Sequence, residues 1–178
     1  MLSSIVSFFL ALGLALSALN NGGAPRAVKK AADRTETKHL TAAASAPAGA
    51  VAPGARVALV IDVAPKPEMH VYAPQQKDFI PISLVLEPNR AVKAHAARFP
   101  KPETFKPLDE VQFVYSKPFR IVQDVTVTPV ALEQARASGM ITIKGTLKYQ
   151  ACDNSICYAP VTVPVAWTIG LKSTTPSY

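Results

Sequence analysis

Nine prolines stand at positions 65, 67, 74, 81, 88, 100, 102, 107 and 118, and they restrict this half of the chain to short extended segments. A proline removes a backbone donor and its ring clashes with the preceding helical turn, so no helix of ordinary length fits between them. Runs rich in Val, Ile, Thr and aromatics lie between and beyond these prolines: Arg56 to Val63, Ile82 to Leu86, Val111 to Tyr115, Phe119 to Val127, Met140 to Tyr149 and Val161 to Ile169. A shorter run covers Met69 to Tyr72. In the first, Val57, Leu59, Ile61 and Val63 alternate onto one face, as in a half-buried strand. Only Val130 to Ala137 reads as helical. Strands of this number and spacing predict an all-β fold, an immunoglobulin-like antiparallel β-sandwich.

That domain is expected over residues 55–171, followed by a tail at 172–178. Ahead of it, Ile5 to Leu19 is almost wholly apolar, and Ala15-Leu16-Ser17 offers the small residues that a signal peptidase reads. Residues 1–18 are therefore expected to be an export signal; the run is short of the roughly twenty residues that span a bilayer, and an uncleaved anchor is the alternative. No cysteine follows it to carry a lipid. Residues 19–54 read as a disordered linker: from Asn20 to about Pro53 they are rich in Ala, Gly, Pro, Ser and Thr, with Val28, Leu40 and Val51 as the apolar residues larger than Ala. Arg26, Lys29, Lys30, Arg34 and Lys38 lie there, which leaves the folded part only mildly basic within a net charge of +7. Without a Lys/Arg stripe interleaved with aromatics, nucleic acid is not an expected partner.

The chain has two cysteines, Cys152 and Cys157, within Tyr149-Gln150-Ala151-Cys152-Asp153-Asn154-Ser155-Ile156-Cys157-Tyr158-Ala159-Pro160. In an exported protein such a pair is expected to form one disulfide. In the strand before them Ile141, Ile143, Leu147 and Tyr149 share one face; by the same parity Cys152 falls on the polar, accessible side. Extended, five residue steps would separate the cysteines by about 16 Å, beyond the roughly 4.4–6.8 Å of a disulfide. Asp153-Asn154-Ser155, all turn formers, must therefore fold Cys157 back. A bridge closing so small a loop contributes on the order of 2 kcal/mol, against more than about 4 for a loop of a hundred residues. It is a modest staple, and its place in an exposed turn suits exchange with an attacking thiolate. Asp153 would raise the neighbouring thiol pKa and Lys148 lower it, so ordinary thiol values are expected. These residues alone leave staple and reagent both open.

The words around the pair resemble those of the amino-terminal periplasmic domain of the DsbD thiol:disulfide interchange family. Tyr149-Gln150-Ala151-Cys152, a short gap, Cys157-Tyr158-Ala159-Pro160 and the alternating Val161-Thr162-Val163-Pro164-Val165 carry the resemblance. Met69-His70-Val71-Tyr72-Ala73-Pro74 and the region from Arg98-Phe99-Pro100-Lys101-Pro102 to Val114-Tyr115 extend it. The resemblance implies an immunoglobulin-like module that receives electrons from a thioredoxin-like reductant or a membrane transporter of the DsbD type and passes them to oxidised periplasmic thiol proteins. It implies that Cys157 forms the mixed disulfide with a partner and that Cys152 resolves it. A cap loop is implied over Pro102 to Tyr115, with Phe105 or Phe113 as the covering aromatic; Tyr72, Tyr149 and Tyr158 are further candidates to line the site. The transporter and thioredoxin-like parts of a full-length member are not in this sequence, so the donor is expected to be a separate protein. Membrane contact is then expected only through partners or an uncleaved signal.

Other chemistries fit less well. His39, His70 and His95 are isolated in sequence and read as structural or surface residues, with no metal site or cofactor expected. Met69-His70 beside two cysteines invites a copper site, but no His or Met follows Cys157 closely to complete one. Trp167 and Tyr149 alternate as core residues. Asp109-Glu110 point to opposite faces of an extended chain and do not suit paired acid–base work. Two functions stay open: a thiol:disulfide oxidoreductase of the cell envelope, and a binding or scaffold sandwich whose disulfide is only structural.

Overall fold

The computed structural model describes residues 33–107 and 110–172. The expected export signal, the first part of the expected linker, Leu108-Asp109 of the expected cap and most of the tail lie outside the described residues. Strands and one short helix follow in the order β1 (Asp33–Glu36), β2 (Leu40–Ser45), β3 (Arg56–Pro65), β4 (His70–Tyr72), β5 (Ser83–Leu86), β6 (Val92–Arg98), β7 (Glu103–Phe105), β8 (Gln112–Tyr115), β9 (Phe119–Val127), α1 (Ala131–Gln134), β10 (Met140–Tyr149), β11 (Ala151–Cys152) and β12 (Val161–Gly170). They build a five-stranded sheet in the order β1-β2-β3-β9-β6, a three-stranded sheet β12-β10-β5 and a four-stranded sheet β11-β4-β8-β7. All the ladders joining these strands are antiparallel. The molecule is an immunoglobulin-like β-sandwich, as the strand pattern predicts.

Alternation places the core. Leu59, Ile61 and Val63 of β3 are buried with Ile121 and Val125 of β9, and they belong to one apolar cluster with Ile143 and Leu147 of β10 and Trp167 and Ile169 of β12. Trp167 is 2 % exposed, and its indole N–H donates to the Val60 carbonyl at 2.9 Å. It thereby ties the three-stranded sheet to the five-stranded one, with its polar atom satisfied inside the core. Gly145 lets β5 approach β10 closely: a Cβ there would stand 2.9 Å from the Val85 carbonyl oxygen.

Within the stretch that the composition reads as linker, Asp33–Glu36 and Leu40–Ser45 are strands. β2 pairs with β3 from Leu40↔Pro65 to Ser45↔Val60, and β1 pairs with β2. Leu40, Ala42 and Ala44 are buried, while Thr41, Ala43 and Ser45 are only partly so. Alanine has low strand propensity, yet an alternating row of alanines fits closely against a sheet already built, and tertiary packing overrides the local preference. The sequence runs also miss β6 and β7: beyond Val92, β6 is built of Lys, Ala, His and Arg, and β7 is only three residues long.

Candidate functional site

The long strand β10 stops at Tyr149, and after Gln150 the chain changes sheets. Ala151 and Cys152 leave β12 and pair with β4, as Ala151↔Val71 and Cys152↔His70. The parity of β10 does not survive this change. Cys152 is 2 % exposed, in correction of the accessible position that parity predicts, and Ala151 beside it is buried as well. Gln150 spans the junction: its amide donates to the Tyr158 carbonyl at 3.1 Å, and its side-chain oxygen accepts from the Ile80 N–H at 3.2 Å.

The expected turn folds the second cysteine back. Cys152 and Cys157 form a disulfide with their Cα atoms 4.0 Å apart. One Asp153 carboxylate oxygen accepts the N–H groups of Ser155 and Ile156 at 2.7 and 2.8 Å; the other accepts the Tyr158 hydroxyl at 2.7 Å. These donors hold the Asp153 pKa below the ordinary carboxylate value, the Ile156 N–H contributing most. The Tyr158 N–H returns to the Ala151 carbonyl at 2.8 Å, closing the hairpin. Cys157 is exposed on this turn.

On its buried side the disulfide meets aromatic rings. Tyr72, Val114 and Cys152 form a small cluster with Phe79 and Phe105 packed against it. The Tyr72 ring stacks on Phe79 with centroids 4.2 Å apart. Its hydroxyl lies 3.2 Å from the Cys152 sulfur and 3.5 Å from the Cys157 sulfur; with both sulfurs oxidised, only the hydroxyl can donate. Burial raises the Tyr72 pKa, keeping that proton in place, and Glu110 adds to the effect. His70 stands edge-on to Tyr72 and 5.1 Å from the Phe105 ring, with its Nε2 buried and without a hydrogen-bond partner. Desolvation lowers its pKa, against the pull of Asp153. A cavity of about 250 Å³ opens here, lined by His70, Phe105, Glu68, Glu103 and Asn154 among others.

Of the residues singled out by sequence, Cys152, Cys157, Tyr72, Phe105 and Tyr158 come together. Phe113 and Tyr149 do not join the cluster at the disulfide. Phe113 packs on the main core while its N–H is taken by Gln76, and Tyr149 is fully buried with its hydroxyl on Thr37. Phe79 escapes the sequence reading, and His39 and His70, read there as structural or surface residues, stand against the aromatic rings around the turn. His70 has a signal in the register, since the strand carrying Tyr72 also carries it. His39 is buried rather than in a linker, and its ring lies 4.6 Å from that of Tyr158. Among the described residues, no group of three or more His, Cys, Asp or Glu is placed to hold a metal. No helix among them is long and apolar enough to cross a membrane.

Residues 37–167 match the family model described as thiol:disulfide interchange protein DsbD, N-terminal. No curated protein matches the chain in sequence. Among solved structures, the N-terminal periplasmic domain of ScsB from Proteus mirabilis is similar at 12% identity and a TM-score of 0.49, covering 75% of this chain and 50% of that one. This chain thus spans half the length of that domain. The Neisseria meningitidis DsbD N-terminal domain in the reduced form is similar at 16% identity and a TM-score of 0.43, covering 64% of this chain and 82% of that one. The complex between the DsbD N-terminal and PilB N-terminal domains from Neisseria meningitidis gives 18% identity and a TM-score of 0.41, covering 61% and 73%.

Proposed function

The chain belongs to the family of the N-terminal domain of thiol:disulfide interchange protein DsbD, and on that premise we propose that it is a periplasmic module that passes electrons by dithiol/disulfide exchange through Cys152 and Cys157. The observation that carries this reading is the inequality of the two sulfurs' residues: Cys157 is exposed on a turn, whereas Cys152 is 2 % exposed beneath it. An incoming thiolate reaches one end of such a bridge and not the other.

In the reducing direction for a partner, the Cys157 thiolate attacks the partner's disulfide, forming a mixed disulfide and releasing one partner thiolate. The Cys152 thiolate then attacks the Cys157 sulfur, which re-forms the internal bridge and expels the second partner thiolate. Two electrons leave the module and the partner gains a dithiol. Recharging runs the same steps backwards: a thioredoxin-like reductant or a membrane transporter of the DsbD type attacks Cys157 and leaves oxidised. Oxidised periplasmic thiol proteins are the acceptors. Phe105 fits the role of cover better than Phe113, since it packs against the Tyr72–Cys152 cluster from the expected cap stretch.

Trapping tests the assignment. Cys152→Ser is expected to accumulate a mixed disulfide through Cys157 with a thioredoxin-like protein, and Cys157→Ser to accumulate none. The pair should also equilibrate with such donors, at potentials between about −270 and −120 mV rather than below about −300 mV. No capture together with a potential below that limit would leave a structural bridge.

A further inference from the structure

The turn that carries the disulfide is also held by hydrogen bonds that do not involve its sulfurs. Asp153 satisfies two backbone N–H groups with one oxygen and holds the Tyr158 hydroxyl with the other. Tyr158 is in turn held from outside the hairpin. His39 packs against its ring at 4.6 Å, and the Lys38 ammonium lies 4.8 Å from the ring centroid. Those two residues form the turn between β1 and β2, which is itself fixed: the Thr37 hydroxyl oxygen accepts the N–H groups of His39 and Leu40 and shares a hydrogen bond with the buried Tyr149 hydroxyl. A continuous set of contacts therefore runs from the core through Thr37, His39 and Tyr158 to Asp153 and the cysteine turn.

We propose that Asp153 and Tyr158, braced by His39 and Lys38, act as positioning residues that keep Cys152 and Cys157 within closing distance while the bridge is open, and so set the reduction potential of the pair. This rests on the exchange function proposed above. Ring closure is favoured by the effective concentration of one thiol at the other, which rises when the turn is already folded. The clamp and the disulfide thus reinforce each other. Loss of the clamp costs the oxidised protein its full contribution, because the bridge still holds the turn in place. The reduced protein recovers part of that cost by relaxing. The dithiol form gains, and the potential becomes less negative. In the mixed disulfide the same clamp keeps Cys152 near the Cys157 sulfur, so its loss lengthens the life of that intermediate.

The test equilibrates the full chain with a dithiothreitol couple at pH 7 and needs no partner protein. Asp153→Ala is expected to shift the exchange constant toward the dithiol about tenfold, a rise of about 30 mV. Tyr158→Phe, which retains the carboxylate, should shift it about threefold and His39→Ala about twofold. Asp153→Asn should stay near the parent value, because its amide oxygen still accepts the turn N–H groups. Chemical denaturation should show a greater loss for Asp153→Ala in the oxidised protein than in the reduced one. An unchanged constant with equal losses in both forms would overturn the clamp. So would Asp153→Asn matching Asp153→Ala, which would trace the effect to charge on the thiols. Failure of Cys152→Ser to capture any thioredoxin-like protein would strike the exchange function and leave the measured shift standing.

Discussion

β10 and β12 are paired over ten consecutive residues, from Met140↔Gly170 to Tyr149↔Val161, whereas β11, two residues further on, meets β4 in two pairs only. The long ladder is regular, alternates strictly and buries Ile143, Leu147 and Trp167. The short one is followed by a turn held by side chains, chiefly Asp153, Gln150 and Tyr158. Stability thus belongs to the ladder, where many apolar contacts are made at once, and reactivity to the place where the ladder gives out. On the proposed function, a turn held by a few hydrogen bonds presents the Cys157 sulfur to a partner.

The sharpest way to break this division is in the core. Trp167→Ala should cost about 3–5 kcal/mol, through the cavity left and the carbonyl of Val60 left without its donor. Urea unfolding reads that loss, while the reduction potential of the molecules still folded should remain at the parent value. A large change in potential would show that the ladder and the turn are not separate. A smaller effect is expected at the boundary between them. Phe105→Ala uncovers the Tyr72–Cys152 cluster and should speed reduction by a small thiol several-fold at nearly unchanged stability; an unaltered rate would show that Phe105 shields nothing.

The smallest effect concerns the two buried histidines that flank the turn. Burial lowers the pKa of His39, with Lys38 adding to it, and burial lowers that of His70 against the opposing charge of Asp153. The unfolded chain therefore takes up protons more readily than the folded one. The stability from their neutral forms is complete above the unfolded value of about 6.5 and is lost as pH falls through the lower folded values. The urea midpoint should decline between pH 7.5 and 5, before Asp153 begins to lose its own contribution below about 4. A flat midpoint over the upper range would show that neither ring is buried in solution.

Much of the ladder region is legible in the sequence, because a period-two pattern of large apolar residues is a local signal that survives without neighbours. Arg56 to Val63, Phe119 to Val127 and Met140 to Tyr149 are found as strands close to their predicted bounds. The turn region is legible only in part. Its two cysteines, its turn formers and the words around them identify the family. Sequence parity, extended past Tyr149, places Cys152 on the wrong side, since nothing in the order of residues announces that the strand will change sheets at Gln150. β1 and β2 are equally hidden, because the polar residues of the one and the alanines of the other read as linker until a sheet is present to receive them.

By itself, then, the sequence determined the all-β character, the pairing of the only two cysteines across a short turn and the likeness to an exchange module. The first two follow from composition and from spacings within a few residues, and the third from the resemblance of the words around the cysteines to those of a known family. Tertiary structure alone decided which sulfur is reachable and what holds the turn: Tyr72 lies 80 residues from Cys152, and Thr37 meets Tyr149 across 112. Contacts at that separation depend on how sheets stack, and a local pattern carries no record of which distant side chains the stacking will bring together.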